Sequence, residues 1–204
     1  MVEYFSIEGE TNGFFKDRGS KFHAFAFPVW SEDEIKTRLM ALRKEYHDAR
    51  HHCYAYSLGM EQVAIRANDD GEPNHSAGDP ILGQIRSFGL TNVLVVVIRY
   101  FGGTKLGVGG LIHAYKMAAN EALSKAVKKE IFPLVSFTLT YDYDQTSQAE
   151  QLLSAFVLHD VTRDFGTNCQ VLASIRKEDF QKLKRSNEPH WGLRLSEPAD
   201  VASK

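Results

Sequence analysis

The chain has 204 residues and a formal net charge of −2. That length fits one or two domains with a core of their own, and that charge excludes a polycation drawn to nucleic acid by bulk charge alone. Cys53 and Cys169 stand alone and far apart, which excludes a disulfide framework and a CxxC metal or redox motif, so both are expected to be reduced and buried. The opening MVEYFSIEGE has no apolar core of a signal peptide, and the longest aliphatic run, Val93–Ile98, is far too short for a membrane span. A cytoplasmic protein is expected.

Residues 2–8 read as a short strand and Thr11-Asn12-Gly13 as a turn. Phe22–Val29 is a second strand. Ser31 with Glu34 forms a capping box, in which the side chains satisfy free amides at a helix start. Ile35, Leu39, Leu42 and Tyr46 then recur at helical spacing. His52–Leu58 and Val63–Ala67 are strands around a turn at Gly59. A loop rich in turn formers runs from Asn68 to Pro80, and Pro80 suits the first turn of a helix reaching Phe88. Asn92–Phe101 is the strongest strand, and its unbroken aliphatic run implies burial on both faces. Gly102, Gly103, Gly107, Gly109 and Gly110 follow within nine residues. The next helix places Ile112, Tyr115, Ala119, Leu123 and Val127 on one face, and Pro133 ends it.

From Leu134 the order is strand 136–143, helix 145–156, strands 157–165 and 169–175, helix 178–185 and a last strand at 191–195. This β-α-β-β-α-β order is the ferredoxin-like pattern. The expected fold class is therefore α+β, with domains at 1–133 and 134–204.

Three segments carry unusual chemistry. The first is Asp48-Ala49-Arg50-His51-His52-Cys53. The second is Asp69-Asp70-Gly71-Glu72-Pro73, with Ala77-Gly78 and Pro80. The third runs from Arg99-Tyr100-Phe101-Gly102-Gly103 through Lys105, Leu106-Gly107 and Gly109-Gly110-Leu111 to Ala114-Tyr115. In this order and spacing they closely resemble the N-terminal domain of the IMPACT/YigZ family, over roughly residues 15–130. The remainder is similar to the smaller C-terminal domain of the bacterial branch. One departure is His75-Ser76, where many relatives read Gly-Thr. The resemblance implies an N-terminal β-α-β domain like a ribosomal-protein domain and elongation factor G domain IV, and a C-terminal domain like elongation factor G domain V. It also implies a link to translation, since eukaryotic relatives regulate translation under amino-acid starvation through protein partners.

The residues themselves leave two readings of the glycine-rich segment. Glycines permit close backbone approach, and a following helix N-terminus with Lys105 suits phosphate. The other reading is a tight strand-to-helix turn. The segment matches neither a Walker A loop nor GxGxxG. Residues 86–129 hold seven Lys and Arg against the single acid Glu121, while residues 61–80 hold five acids against Arg66. Such asymmetry suits a polar site of two signs or two solvated faces. Asp69, Asp70 and Glu72 lie in one turn, as a structural device, a functional polar loop or a weak cation site. On a strand His51 and His52 face opposite ways, so they do not chelate one ion, and no zinc spacing completes a set. Tyr100-Phe101 beside basic residues suits base stacking or core packing.

The expected anion or nucleic-acid site is therefore Arg99, Gly102, Gly103, Lys105, Gly107, Gly109 and Gly110. The expected polar cleft is Arg50, His51, Asp69, Asp70 and Glu72. No metal, cofactor or catalytic set is assigned. Two functions follow: a translation-linked binding protein meeting RNA, a ribosomal surface or a protein partner, and an enzyme acting on a phosphorylated small molecule or nucleotide.

Overall fold

A computed structural model describes residues 3–197. Positions 1, 2 and 198–204, which belong to the expected first strand and to the two expected domains, lie outside the described residues. The chain divides into two compact units between Ile131 and Phe132.

The first unit is built on a five-stranded sheet. Its strands are β2 (Thr11–Asp17), β3 (Ser20–Pro28), β6 (Val93–Tyr100), β4 (His51–Leu58) and β5 (Ala64–Asn68), in that spatial order. Every neighbouring pair is antiparallel. The aliphatic run of β6 explains its central place. Val93, Val95 and Val97 face a core shared with α2 (Gly78–Ser87) and α3 (Gly107–Ser124), while Leu94, Val96 and Ile98 face a second core shared with α1 (Glu32–Glu45). All six are fully buried, as expected of a strand covered on both sides. A two-stranded ribbon joins β1 (Tyr4–Ile7) to β7 (Lys128–Ile131). Sequence patterning misses β7 because KKEI is short and mostly charged.

The α1 cap has the expected chemistry. Ser31 Oγ accepts from the Glu34 N–H at 3.2 Å, and Glu34 Oε2 accepts from the Trp30 N–H at 2.8 Å. Ile35 and Leu42 are buried beneath it.

Two expectations are corrected. Thr11-Asn12-Gly13 is no turn but the start of β2. Gly13 serves packing: a Cβ there would run into the backbone of Glu121 and Ala122 on α3. The face of α3 is also shifted. Leu111, Ala114, Tyr115, Ala118, Ala119, Ala122 and Leu123 are buried, whereas Ile112 and Val127 are exposed. The small alanines let the helix lie close to the sheet, so size rather than hydrophobicity sets its phase.

The second unit contains β8 (Leu134–Tyr141), α4 (Thr146–Ser154), β9 (Leu158–Phe165), β10 (Cys169–Arg176), α5 (Lys177–Asn187) and β11 (Arg194–Ser196). Its sheet order is β11-β8-β10-β9, with every pair antiparallel. Phe137, Leu139, Val171 and Ile175 pack beneath Leu152, Leu153, Phe180 and Leu183. The last strand starts later than expected, and Trp191 stands fully exposed before it.

Candidate functional site

The site forms where β4 and β6 run side by side, with His51 opposite Arg99. Arg99 continues the 93-95-97 face of β6, so its side chain enters the layer between the sheet and α3. There Arg99 Nη1 meets Glu72 Oε1 at 2.6 Å, with both side chains more than nine-tenths buried. Tyr115 of α3 donates its hydroxyl to the same Glu72 oxygen at 2.8 Å. Cys53 Sγ lies 3.3 Å from the Tyr115 hydroxyl and donates to the Asp69 carbonyl at 3.0 Å. Burial, opposed by the Tyr115 contact and reinforced by Glu72, pushes the Cys53 thiol up. Burial thus favours the neutral thiol over the thiolate.

The acidic turn is consumed by structural bonds. Asp69 Oδ1 accepts from the Ala77 and Gly78 N–H groups at 2.9 and 2.8 Å, and Oδ2 from that of His75 at 2.9 Å. It thereby caps α2, whose own N-cap residue, Ala77, has no side-chain acceptor. Burial works to raise the Asp69 pKa, but the three amides outweigh it and the net shift is downward. Asp70 accepts from the His52 N–H at 2.7 Å and pairs with Arg43 at 2.8 Å. His51 donates from Nδ1 to the Asp70 carbonyl at 2.9 Å. His52, on the other face, is buried with Nε2 unpartnered. Burial, then the charge of Arg43, lowers its pKa. At the departure from the family pattern, His75 has φ +64°, a conformation that glycine adopts without steric cost. Ser76 donates to the Pro73 carbonyl at 2.6 Å.

Above this network lies a partly open cleft of about 510 Å³, lined by Asp48, Arg50, His51, Arg99, Tyr100, Phe101 and Lys105. It unites Arg50 and His51 with Arg99 and Lys105, residues assigned above to two separate groups. Asp69, Asp70, Glu72 and the five glycines are not among its lining. Tyr100 donates its hydroxyl to Asp48 at 2.7 Å. That bond pushes the tyrosine up to about 12 and lowers the Asp48 pKa. Among the described residues, no group of three or more His, Cys, Asp or Glu is arranged to hold a metal ion.

The glycines divide by cause. A Cβ on Gly102 would collide with the backbone of Gly19 and Ser20, and the Gly102 N–H bonds Ser20 Oγ at 3.1 Å. Gly103 and Gly107 have φ of +87° and +71°. A Cβ on Gly110 would lie 2.9 Å from that of Leu106, whereas nothing lies within 4 Å at Gly109. Helix α3 begins at Gly107, earlier than expected, so Gly107, Gly109 and Gly110 occupy its first turn. No side chain caps that turn and no acid lies in it.

Sequence reasoning missed Ser20, which bridges Gly102 and, at 3.5 Å, Arg99 Nη2. No motif marks it. Tyr115 belongs to the third signature segment and to the buried face of α3, but no polar role is assigned to it from sequence. The signal available was its hydroxyl, because a tyrosine on a buried helix face needs a polar partner.

The chain is thus a two-unit α+β protein whose first unit carries a basic, aromatic-edged cleft over a buried ion pair. The Impact N-terminal domain matches residues 18–123, and the chain belongs to that family. It is 39% identical over 123 residues to the IMPACT family member YigZ of Escherichia coli (strain K12), an alignment spanning 59% of this chain and 60% of that one. It is 41% identical over 136 residues to an IMPACT family member in the pol 5′ region of Thermus thermophilus, spanning 67% of this chain and 73% of that one. A crystal structure described as that of a hypothetical protein is similar with a TM-score of 0.71 at 27% identity, covering 98% of this chain and 99% of that one.

Proposed function

We propose that this is a cytoplasmic, translation-linked binding protein whose basic cleft takes phosphate groups of RNA, free or on a ribosome. The family resemblance supplies the link to translation. In the same reading, the first unit is an elongation factor G domain IV-like module and the second is ferredoxin-like, a reading that the β11-β8-β10-β9 order supports.

The observation that carries the reading is the division of charge. Arg50 and Lys105 line one cleft beside Arg99, which is paired with Glu72, while Asp69 and Asp70 are engaged in a cap and an ion pair. An enzyme acting on a phosphorylated substrate needs a group free to trade protons beside the anion. Asp48, the carboxylate in the cleft lining, is held by Tyr100 with a lowered pKa, which suits a fixed negative charge better than proton transfer. His51 also lines the cleft, with its Nδ1 held by the Asp70 carbonyl, so the binding reading is preferred on the family's link to translation.

The test is a titration of short labelled RNA at low and high salt. Phosphate contacts release counterions, so affinity falls as salt rises. Lys105→Glu is expected to weaken binding and flatten the salt slope by about one. Lys184→Ala, in α5 of the other unit, is expected to leave both unchanged. If the parent shows no salt-sensitive binding, or Lys105→Glu binds as well as the parent, the glycines are packing devices and the protein works through protein contacts.

A further inference from the structure

The cleft holds a feature that phosphate binding alone does not use. Phe101 lines it and is 58% exposed, although it directly follows the buried strand β6. Exposing a large aromatic ring forgoes the burial that normally stabilises such a residue. The next two residues, Gly102 and Gly103, have no side chain to cover the ring, and a Cβ on Gly103 would meet nothing within 4 Å.

The ring also has a charged neighbour. The Arg99 guanidinium lies 5.7 Å from its centroid. Arg99 is itself fixed by Glu72 at 2.6 Å, and its Nε is buried without a hydrogen-bond partner. The neighbouring Tyr100 is tied to Asp48. Phe101 thus stands beside the Arg99 guanidinium, one residue past the end of β6, in a cleft whose volume of about 510 Å³ falls within the range of small-ligand pockets.

We infer that the cleft seats one unstacked nucleotide, its base stacked on Phe101 and its phosphates met by Arg50 and Lys105, so that single-stranded RNA is preferred to duplex RNA. The inference rests on the phosphate-binding reading above and adds the base contact. Every base presents a π face, so stacking tolerates sequence. A paired base offers no free face and must leave its stack first, at a cost of a few kcal/mol that a single strand avoids.

Labelled single-stranded RNA and a hairpin duplex of the same length are titrated into the full chain, and into Phe101→Ala, Phe101→Leu and Phe101→Trp. The exposed ring makes these changes compatible with folding, which circular dichroism verifies for each variant. The parent is expected to bind the single strand more tightly than the duplex. Phe101→Ala and Phe101→Leu are expected to bind the single strand about tenfold more weakly, with the salt slope unchanged, and Phe101→Trp at least as tightly as the parent. An RNA with abasic positions is expected to bind the parent as weakly as normal RNA binds Phe101→Ala.

Equal binding of single strand and duplex, with Phe101→Ala harmless and Lys105→Glu damaging, overturns the base contact and leaves the phosphate reading standing. No salt-sensitive binding to either RNA overturns both. An acidic peptide that binds as tightly as the single strand, and equally well to Phe101→Ala, means that the cleft reads charge alone and also overturns the base contact.

Discussion

Replacing Glu72 by Ala removes one partner of the Arg99 pair. The two side chains are only 8% and 4% exposed and their N and O atoms are 2.6 Å apart. At an effective dielectric of about 20, the attraction at that distance is ~6 kcal/mol, much of it offset by desolvation of the two charges. Glu72→Ala removes the attraction but leaves the Arg99 charge buried, with the Tyr115 O–H also deprived of its acceptor. The expected loss is about 3–5 kcal/mol, the usual cost of an uncompensated buried charge. Glu72→Met with Arg99→Leu removes both charges together, so the double variant is expected to lose less than Glu72→Ala. Hydrogen exchange of the β4 and β6 amides is the suitable assay, because it reports the first unit separately. A loss below about 1 kcal/mol in Glu72→Ala, or a double variant whose loss equals the sum of the two singles, would refute the reasoning.

Two further predictions concern the glycines and pH. Gly109→Ala is expected to stabilise the first unit by about 0.5–1 kcal/mol, since alanine is the better helix former and the site has room. Gly102→Ala is expected to destabilise the unit, because the added Cβ meets backbone rather than a movable side chain. Denaturant titrations that rank the two the other way would contradict this assignment. His52 has a lowered folded pKa, caused first by burial and then by Arg43, with Asp70 opposing. The unfolded state therefore takes up the proton first as the pH falls. Stability is expected to be full above the unfolded value of 6.5 and to fall as the pH drops below it, towards the folded value. NMR titration of the His52 ring gives the folded pKa directly, and His52→Phe is expected to flatten stability curves compared at about pH 7.5 and about pH 5.5.

Local pattern made several elements legible. The run Val93–Ile98 reads as a strand buried on both faces, because it is β-branched-rich and no polar position interrupts it. Ser31 and Glu34 announced the start of α1 because a cap is built from neighbours in sequence. The three signature segments placed the chain in its family through their order alone. Other features depended on partners far along the chain. Thr11-Asn12-Gly13 looks like a turn until α3 lies across Gly13, and the phase of α3 follows the small residues that let it do so. The roles of the acids were likewise invisible. Asp69 is drawn to the amides of α2, and Glu72 to Arg99, 27 residues away. Identical carboxylates in one turn become a cap, a surface pair and a buried counter-ion according to which donors the folded chain brings within 3 Å. Sequence determines which groups are available and which stretches form regular elements. Tertiary structure alone decided that Asp69 and Glu72 were spent on amides and a buried arginine while Arg50 and Lys105 were left lining the cleft, because hydrogen bonds and ion pairs depend on distance in space and not on separation along the chain.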